Sequence, residues 1–150
     1  MLAQPLFVSS AHMKRITIIG GGASGTLLAV NLLRHAGDAA IEINLVERRS
    51  RVGRGVAFGT MQPSHLLNVP CGRMGAFPDE IGHFHDWLTA NGHICDPHDF
   101  IPRRLFGEYL RHVFDKETVQ LQPNLRLNII DDEAVDMSVN GSSAEVMLRS

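Results

Sequence analysis

The first apolar segments of the chain predict a strand, a helix and a second strand. Residues 14–19 are short, β-branched and apolar on both faces, which is typical of a buried parallel strand. Residues 23–35 carry a broad apolar stripe at helical spacing and end before Gly37. Residues 41–47 alternate apolar and polar positions and predict another strand. Together these segments predict a βαβ unit, and therefore an α/β fold with a parallel sheet.

A long irregular segment follows the second predicted strand. Residues 48–78 are rich in glycine and proline and have no helical period. The same segment contains many apolar residues, such as Val52, Leu67 and Phe77, which disfavours disorder. We therefore predict an ordered loop that wraps around a ligand, because long loops in compact domains are usually functional.

The remaining patterns predict two helices, a strand and a hairpin. Asp79 is positioned to cap a helix over residues 79–90, and Pro102 suits the first turn of a helix that runs to about Lys116. Residues 125–129 alternate as a strand. Residues 135–139 and 144–148 flank an Asn-Gly turn, which predicts a β-hairpin.

These elements suggest a simple domain organisation. Residues 1–13 are predicted to be a flexible leader, and residues 14–150 the α/β domain. A doubly wound sheet with so few parallel strands would be incomplete, and no helix follows the last predicted strand. We therefore expect the chain to be the N-terminal portion of a longer protein.

Composition narrows the functional classes. Lys and Arg number 14 against 16 Asp and Glu, for a net charge of -2, so binding of nucleic acid through bulk positive charge is not expected. The most apolar stretch, residues 16–33, is interrupted by glycines and is short for a membrane span, so no membrane association is expected. The 2 cysteines are too few for a disulfide scaffold and favour a reducing, cytoplasmic location.

The candidate chemistry lies in the turn after the first strand. Gly20, Gly22 and Gly25 fit the pattern G-x-G-x-x-G between a predicted strand and helix. In such a motif the first glycine permits the tight turn, the second lets the backbone approach a pyrophosphate, and the third lets helix and strand pack closely. Free N–H groups from Gly22 to Ser24 would point at the phosphates, aided by the helix dipole.

An acidic residue ends the second predicted strand. Glu47 follows the glycine motif by about twenty residues, the spacing at which a carboxylate accepts hydrogen bonds from an adenosine ribose. Its charge disfavours a 2′-phosphate, so the site should prefer FAD or NAD over NADP. Arg48, Arg49 and Arg51 keep the NADP alternative open, since arginine pairs with phosphate. A glycine-rich turn with no ligand and a methyltransferase-type nucleotide site are further alternatives.

A second glycine patch favours FAD over NAD. Gly53 and Gly55 permit close backbone approach, and Arg54 between them can face a phosphate. An NAD domain normally continues with further strand–helix units, whereas the ribityl chain and ring of a flavin need an additional wrap. The alternative is an ordinary surface turn with a solvated arginine.

The histidines and cysteines give weaker signals. His83 and His85 are two residues apart on a predicted helix, so they do not share a face, and no zinc-type spacing is present. We therefore predict no metal site. A nucleophile pair of Cys71 with His65 or His83 is an alternative that no spacing supports. Arg103 and Arg104 begin the late helix, where basic residues oppose the helix dipole, so an anionic partner there is an open alternative.

Several longer runs resemble the FAD–NAD(P)-binding oxidoreductase family, which is related to flavin-containing N-hydroxylating monooxygenases. The resemblance covers most of residues 14–115. The more specific runs are GRGVAFGT at residues 53–60, HLLNVP at 65–70 and PRRLFGEYL at 102–110.

The resemblance implies a Rossmann-like FAD-binding domain, with a pyridine nucleotide, NAD(P)H, bound at a second site outside this chain. By the resemblance, the pyrophosphate would lie at Gly20, Gly22, Ala23 and Ser24, with Gly25 completing the motif, and it would continue with the ribityl chain near Arg54 and Gly55. The ribose would lie at Glu47, and the adenine along Arg48 and beside the backbone near Val135. The flavin would lie near Asn68 and Val69. The second glycine motif of the family is absent, so the fragment is not expected to be active alone.

Two functional hypotheses follow. The first is the FAD-binding portion of an NAD(P)H-dependent flavin oxidoreductase, with monooxygenases as the related class and a small-molecule substrate that the sequence does not identify. The second is a non-catalytic module that binds or senses NAD or FAD. No acid, base or nucleophile is assigned under either hypothesis, and neither predicts an oligomeric state.

Overall fold

The computed structural model describes residues 13–48 and 51–150. Within them the chain forms, in order, β1 (Lys14–Ile19), α1 (Ala23–Arg34), β2 (Ile41–Val46), α2 (His83–Ala90), α3 (Arg103–Thr118), β3 (Leu125–Ile130), β4 (Ala134–Asn140) and β5 (Ser143–Leu148). A single turn of 3₁₀ helix, Cys71–Arg73, lies in the long segment between β2 and α2. The predicted leader falls almost entirely on residues 1–12, outside the described residues.

Strands β1, β2 and β3 form a parallel sheet in the order β1-β2-β3. Ile19 lies opposite Val46, and Val46 lies opposite Ile130, so the carboxyl ends of all three strands meet at one edge. β2 is central, and its Ile43 and Leu45 are fully buried. The predicted α/β fold with a parallel sheet is confirmed.

The helices and the long loop share one core with the sheet. α1 buries Thr26, Ala29, Val30 and Leu33, which are spaced so that they fall on one helix face. The loop contributes buried side chains of its own, Val52, Leu67, Cys71, Ala76 and Phe77. The prediction of an ordered loop is therefore confirmed over the part of it that the structure describes, residues 51–78.

Tyr109 connects α3 to both the loop and α2. Its side chain is fully buried, and its hydroxyl accepts a hydrogen bond from the Ala76 N–H at 2.8 Å. His83 Nδ1 lies 2.8 Å from the same oxygen. Burial raises the pKa of Tyr109 to about 12, because ionisation in this environment would leave a poorly solvated charge. These contacts fix the packing beneath the loop.

The predicted start of α2 at Asp79 is wrong. The helix begins at His83, with Gly82 as its N-cap and no side-chain cap. Before it the backbone turns twice, with Glu80 N–H donating to Phe77 O and His83 N–H donating to Glu80 O. The Glu80 carboxylate pairs with Arg34 of α1 at 2.7 Å. The residues predicted to form the first turn of α2 therefore form turns that contact a distant helix.

The last two strands form a separate antiparallel hairpin. β4 and β5 pair around a turn in which Gly141 has a φ of 60°, in the left-handed region that favours glycine. The register shifts between Ala134 and Asp136, at the start of the hairpin. The predicted hairpin is confirmed. None of the described helices has the length and apolar character needed to cross a membrane.

Candidate functional site

The glycine motif forms the turn from β1 into α1. Gly20 has a φ of 96°, and its N–H donates to Val46 O at 2.8 Å, so the turn begins where β1 is still paired to β2. A Cβ on Gly25 would lie 1.9 Å from Gly20 O. No side chain fits there, which is the close approach of helix and strand that the motif predicts.

The start of α1 offers a set of unpaired backbone donors. Its N-cap is Gly22, with no side-chain cap and no acidic residue in the first turn. The first N–H in α1 with an intrahelical acceptor is that of Thr26, which donates to Gly22 O at 2.9 Å. In the described part of the chain, the N–H groups of residues 22–25 have no hydrogen-bond acceptor. Such groups, together with the helix dipole, favour an anion.

The second glycine patch packs directly against the first. Gly53 N–H donates to Gly21 O at 2.8 Å and to the Thr26 hydroxyl at 2.9 Å. The buried Thr26 hydroxyl in turn donates to Gly21 O at 2.9 Å. A Cβ on Gly55, whose φ is 52°, would lie 3.0 Å from Gly22 Cα. The second patch therefore forms one wall of the turn.

Helix α3 packs closely against the second glycine patch and the residues that follow it. A Cβ on Gly53 would lie 2.9 Å from Arg111 N, and one on Gly107 would lie 2.6 Å from Phe58 O. Glycine is therefore required on both sides of this contact. Sequence reasoning did not single out Gly107, although a glycine inside a helical pattern often marks a close backbone approach.

Glu47 connects the end of β2 to the glycine turn. Its Oε2 accepts a hydrogen bond from Gly21 N–H at 2.6 Å. A Cβ on Gly21 would lie 2.8 Å from Glu47 Cβ, so the two residues are in close contact. The other carboxylate oxygen, Oε1, has no hydrogen-bond partner among residues 13–48 and 51–150. The carboxylate can therefore hold the turn and still accept a hydrogen bond from a ligand.

Two adjoining cavities form a crevice at the carboxyl edge of the sheet. The first has a volume of about 670 Å³ and the second about 430 Å³. Both are lined by Ile19, Gly20, Gly55 and Val56, so they meet at the glycine turn. In open α/β sheets ligands bind outside the carboxyl ends of the strands.

Most of the predicted site residues line this crevice. The first cavity is lined by Gly20, Gly22, Ala23, Ser24, Gly25, Arg54 and Gly55. The second is lined by Gly20, Glu47, Arg48 and Gly55. Together the two cavities extend from the start of α1, the phosphate end of the crevice, to Glu47, its sugar end.

Three predicted residues do not line either cavity. Asn68 is exposed and Val69 half-buried, next to Leu67, whose N–H donates to Ile101 O near the start of α3. Val135 is 49% exposed and follows Ala134, which lines the second cavity. The roles of Asn68 and Val69 at the flavin and of Val135 at the adenine stay predictions.

Sequence reasoning missed two residues of the second cavity, Asp132 and Glu133. They follow β3, and the parallel pairing of β3 with β2 brings them beside Glu47, whose N–H donates to Ile130 O at 3.0 Å. A rule that polar residues just after a parallel strand collect at one edge would have found them. Hydrogen bonds from Ser150 and from Glu133 N–H hold the pKa of Asp132 below its usual range.

The residues considered for other chemistry have structural roles. Burial, reinforced by the neighbouring Cys95, raises the pKa of Cys71 to about 11, which disfavours the thiolate that a nucleophile requires. Arg103 Nε donates to Leu66 O at 2.9 Å, and Arg104 pairs with Glu108. In the described residues no group of three or more His, Cys, Asp or Glu side chains is placed to hold a metal ion.

Comparisons with known proteins agree with this geometry. A family model described as FAD-NAD(P)-binding matches residues 17–150. Among curated proteins, none matches the chain. The solved structure of S-allyl-L-cysteine S-oxygenase from Allium sativum has a similar fold, with a TM-score of 0.58 and 17% sequence identity, over 91% of this chain and 32% of that one. This chain therefore spans about a third of that enzyme, and the match over residues 17–150 shows that it belongs to the FAD-NAD(P)-binding family.

Proposed function

We propose that the crevice binds the adenosine diphosphate part of FAD and that the chain is the FAD-binding portion of an NAD(P)H-dependent flavin oxidoreductase. One observation carries this proposal. Among the described residues, the N–H groups of residues 22–25 have no acceptor and Glu47 Oε1 has no partner; these residues line the two adjoining cavities, and Gly21 N–H donates to Glu47 Oε2 at 2.6 Å. Backbone donors suit a pyrophosphate, and a carboxylate oxygen suits the ribose hydroxyls.

The residues present fit such a group at each position. Gly22, Ala23 and Ser24 would hold the pyrophosphate, and Arg54 would face it with a guanidinium that has no partner in the described part of the chain. Glu47 would hold the ribose. We keep Arg48 and Val135 as candidates for the adenine, and Asn68 and Val69 as candidates for the flavin.

When bound, the flavin supplies the redox chemistry through its isoalloxazine ring. This chain's own residues would bind and orient the cofactor, and we assign none of them as acid, base or nucleophile. NAD(P)H would bind at a second site outside this chain. The fold similarity to an enzyme named as an S-oxygenase supports a monooxygenase-like reaction on a small molecule as part of the same proposal. A cytoplasmic location is proposed separately, from the low number of cysteines.

The test begins with the absorbance spectrum of the purified full-length protein. We expect a flavin band that bleaches when NADH or NADPH is added without oxygen. Tight binding of ADP or NAD by a protein that takes up no flavin would contradict the proposal and favour a nucleotide-sensing module.

Two variants locate the cofactor. A Cβ on Gly22 would lie 3.6 Å from Gly55 Cα, an ordinary contact, so Gly22→Ala should keep the fold while placing a methyl group where the pyrophosphate approaches. Glu47→Ala removes the ribose acceptor. We expect each to weaken FAD binding about tenfold, or about 1.4 kcal/mol, measured by flavin fluorescence titration. Glu47→Gln is a milder companion, because its amide oxygen can still accept from Gly21 N–H.

The matched control is Gly82→Ala, at a position with a φ of -85° and no atom within 4 Å of the added Cβ. It lies outside both cavities and should bind FAD as the wild type does. Unchanged flavin binding in both Gly22→Ala and Glu47→Ala would contradict the site assignment.

A further inference from the structure

An arginine at the sugar end of the crevice is already paired within the chain. Arg48 and Glu133 both line the second cavity, and Arg48 Nη1 lies 3.2 Å from Glu133 Oε1. The other oxygen of Glu133, Oε2, lies 2.9 Å from Arg149 Nη2. Glu133 thus bridges two arginines, Arg48 just after β2 and Arg149 just after β5.

The backbone around Glu133 holds its carboxylate at this place. Its N–H donates to Asp132 Oδ1 at 2.6 Å, and its carbonyl accepts from Arg149 N–H at 3.0 Å. Asp132 Oδ2 accepts a hydrogen bond from the Ser150 hydroxyl. The ends of β3, β4 and β5 therefore position Glu133 beside the residue that follows Glu47.

The charges at this end disfavour an additional phosphate. The second cavity is lined by three carboxylates, Glu47, Asp132 and Glu133, and by two arginines, Arg48 and Arg51. Because Glu133 neutralises Arg48, one of the guanidinium groups that could pair with a 2′-phosphate is engaged. Glu47 adds a repulsive charge where that phosphate would lie.

We propose that Glu133 is a specificity-determining residue that acts through Arg48: by pairing with this arginine, it makes the site select adenine nucleotides with a free 2′-hydroxyl over those with a 2′-phosphate. This inference rests on the proposed function, because it assumes that the adenosine ribose lies beside Glu47. It identifies the ligand class of the site as FAD or NAD rather than NADP.

The Arg48–Glu133 pair is suited to selectivity rather than to stability. The Arg48 side chain is 64% exposed and that of Glu133 31% exposed, and exposed ion pairs contribute little to folding. Replacing Glu133 should therefore leave the thermal unfolding temperature almost unchanged. Arg51 is present in every protein compared, so its own contribution cancels in the comparison.

The experiment measures competition with FAD in the flavin-depleted, full-length protein. ADP-ribose and 2′-phospho-ADP-ribose form a matched pair that differs only in the 2′-phosphate. We expect the wild type to bind ADP-ribose more tightly, and Glu133→Gln to reduce that preference about fivefold by releasing Arg48. In the double variant Arg48→Gln/Glu133→Gln the preference for ADP-ribose should return to the wild-type value. Arg149→Gln, which leaves the Arg48–Glu133 pair in place, should keep the wild-type preference.

Two results would overturn the inference while FAD binding stands. One is an unchanged preference in Glu133→Gln, and the other is a reduced preference that persists when Arg48 is also replaced. Failure of the wild type to bind FAD at all would instead overturn the proposed function, and with it the inference. The two failures are therefore distinguishable in the same titrations.

Discussion

The two ends of the crevice are built in different ways. At the phosphate end the contacts are between backbones: Gly25 against Gly20, Gly55 against Gly22, and Gly53 against α3, with the Thr26 hydroxyl between. At the sugar end the contacts are made by charged side chains: Glu47 accepts from Gly21 N–H, and Arg48 pairs with Glu133, which is far from it in sequence. The first end is fixed by steric exclusion and the second by charge.

The difference determines what a substitution does. At the phosphate end an added side chain meets backbone that cannot move, so most changes there should cost folding free energy as well as binding. At the sugar end the groups are partly exposed, so changes should alter which ligand binds while the fold persists.

Gly25→Ala should have the largest effect. The new Cβ, in the first turn of α1, would lie 1.9 Å from Gly20 O in the turn that precedes the helix. We expect a loss of about 3 kcal/mol or more in the free energy of unfolding, measured by chemical denaturation followed by circular dichroism. Gly82→Ala, which meets open space at the N-cap of α2, should change it by about 1 kcal/mol or less. A Gly25→Ala protein as stable as the wild type would show that the turn can yield.

Thr26→Val tests the hydrogen bonds between the two glycine patches. Its fully buried hydroxyl donates to Gly21 O and accepts from Gly53 N–H, each at 2.9 Å. Valine has nearly the same shape but leaves the Gly21 carbonyl with one partner fewer, so we expect a loss of about 1–3 kcal/mol in denaturation. Thr26→Ser keeps the hydroxyl and should recover part of the lost unfolding free energy. Equal stability of the valine and serine variants would contradict the role assigned to the hydroxyl.

Arg54→Gln tests whether the phosphate end also uses charge. Among the described residues that line the first cavity, Arg54 is the one with a charged side chain. We expect FAD binding to weaken about threefold to tenfold at low ionic strength and less at high salt, because exposed charges are screened. Arg73→Gln, at an exposed residue outside both cavities, is the control. Identical FAD affinity of Arg54→Gln and the wild type at low salt would mean that backbone donors suffice.

The same contrast explains what could be predicted from the sequence. The glycine turn and the β1–α1–β2 unit follow from local patterns: apolar runs, a glycine spacing and one acidic residue at the end of β2. The local sequence shows where a tight turn requires glycine and where an acidic residue ends a strand, so Gly20, Gly22, Gly25 and Glu47 could be named. The second glycine patch could be named too, because its glycines mark close approach.

The sugar end depends on information that is not local. Glu133 reaches Arg48 only because β3 joins the sheet beside β2. Its position just after a predicted strand places it at the carboxyl edge of the sheet, but the local sequence does not identify β2 as the neighbouring strand. The start of α2 was misplaced for a related reason, since Glu80 pairs with Arg34 on a distant helix. Sequence patterns alone left the role of the arginines after Glu47 open, and the ion pair of Arg48 gives that question a testable form.

Cys71 can report whether a variant that binds FAD weakly still keeps its fold. It is fully buried, lies outside both cavities, and its Sγ donates to Asp96 O at 3.2 Å. Because burial raises its pKa to about 11 from the ordinary value of 9.0, the folded protein keeps the thiol proton in a pH range where the unfolded chain releases it. The stability that this proton contributes is therefore complete below pH 9 and declines as the pH rises toward 11.

We expect iodoacetamide at pH 8 to modify Cys71 slowly in the wild type and at the same rate in Gly22→Ala and Glu133→Gln, with peptide mass spectrometry as the readout. Gly25→Ala should expose Cys71 and accelerate its modification strongly, since unfolding restores both access and an ordinary pKa. Half-buried Cys95 should react faster than Cys71 in every folded protein and serves as the internal reference. Rapid modification of Cys71 in Gly22→Ala would show that this variant loses its fold, and the assignment of its weaker FAD binding to the pyrophosphate contact would then fail.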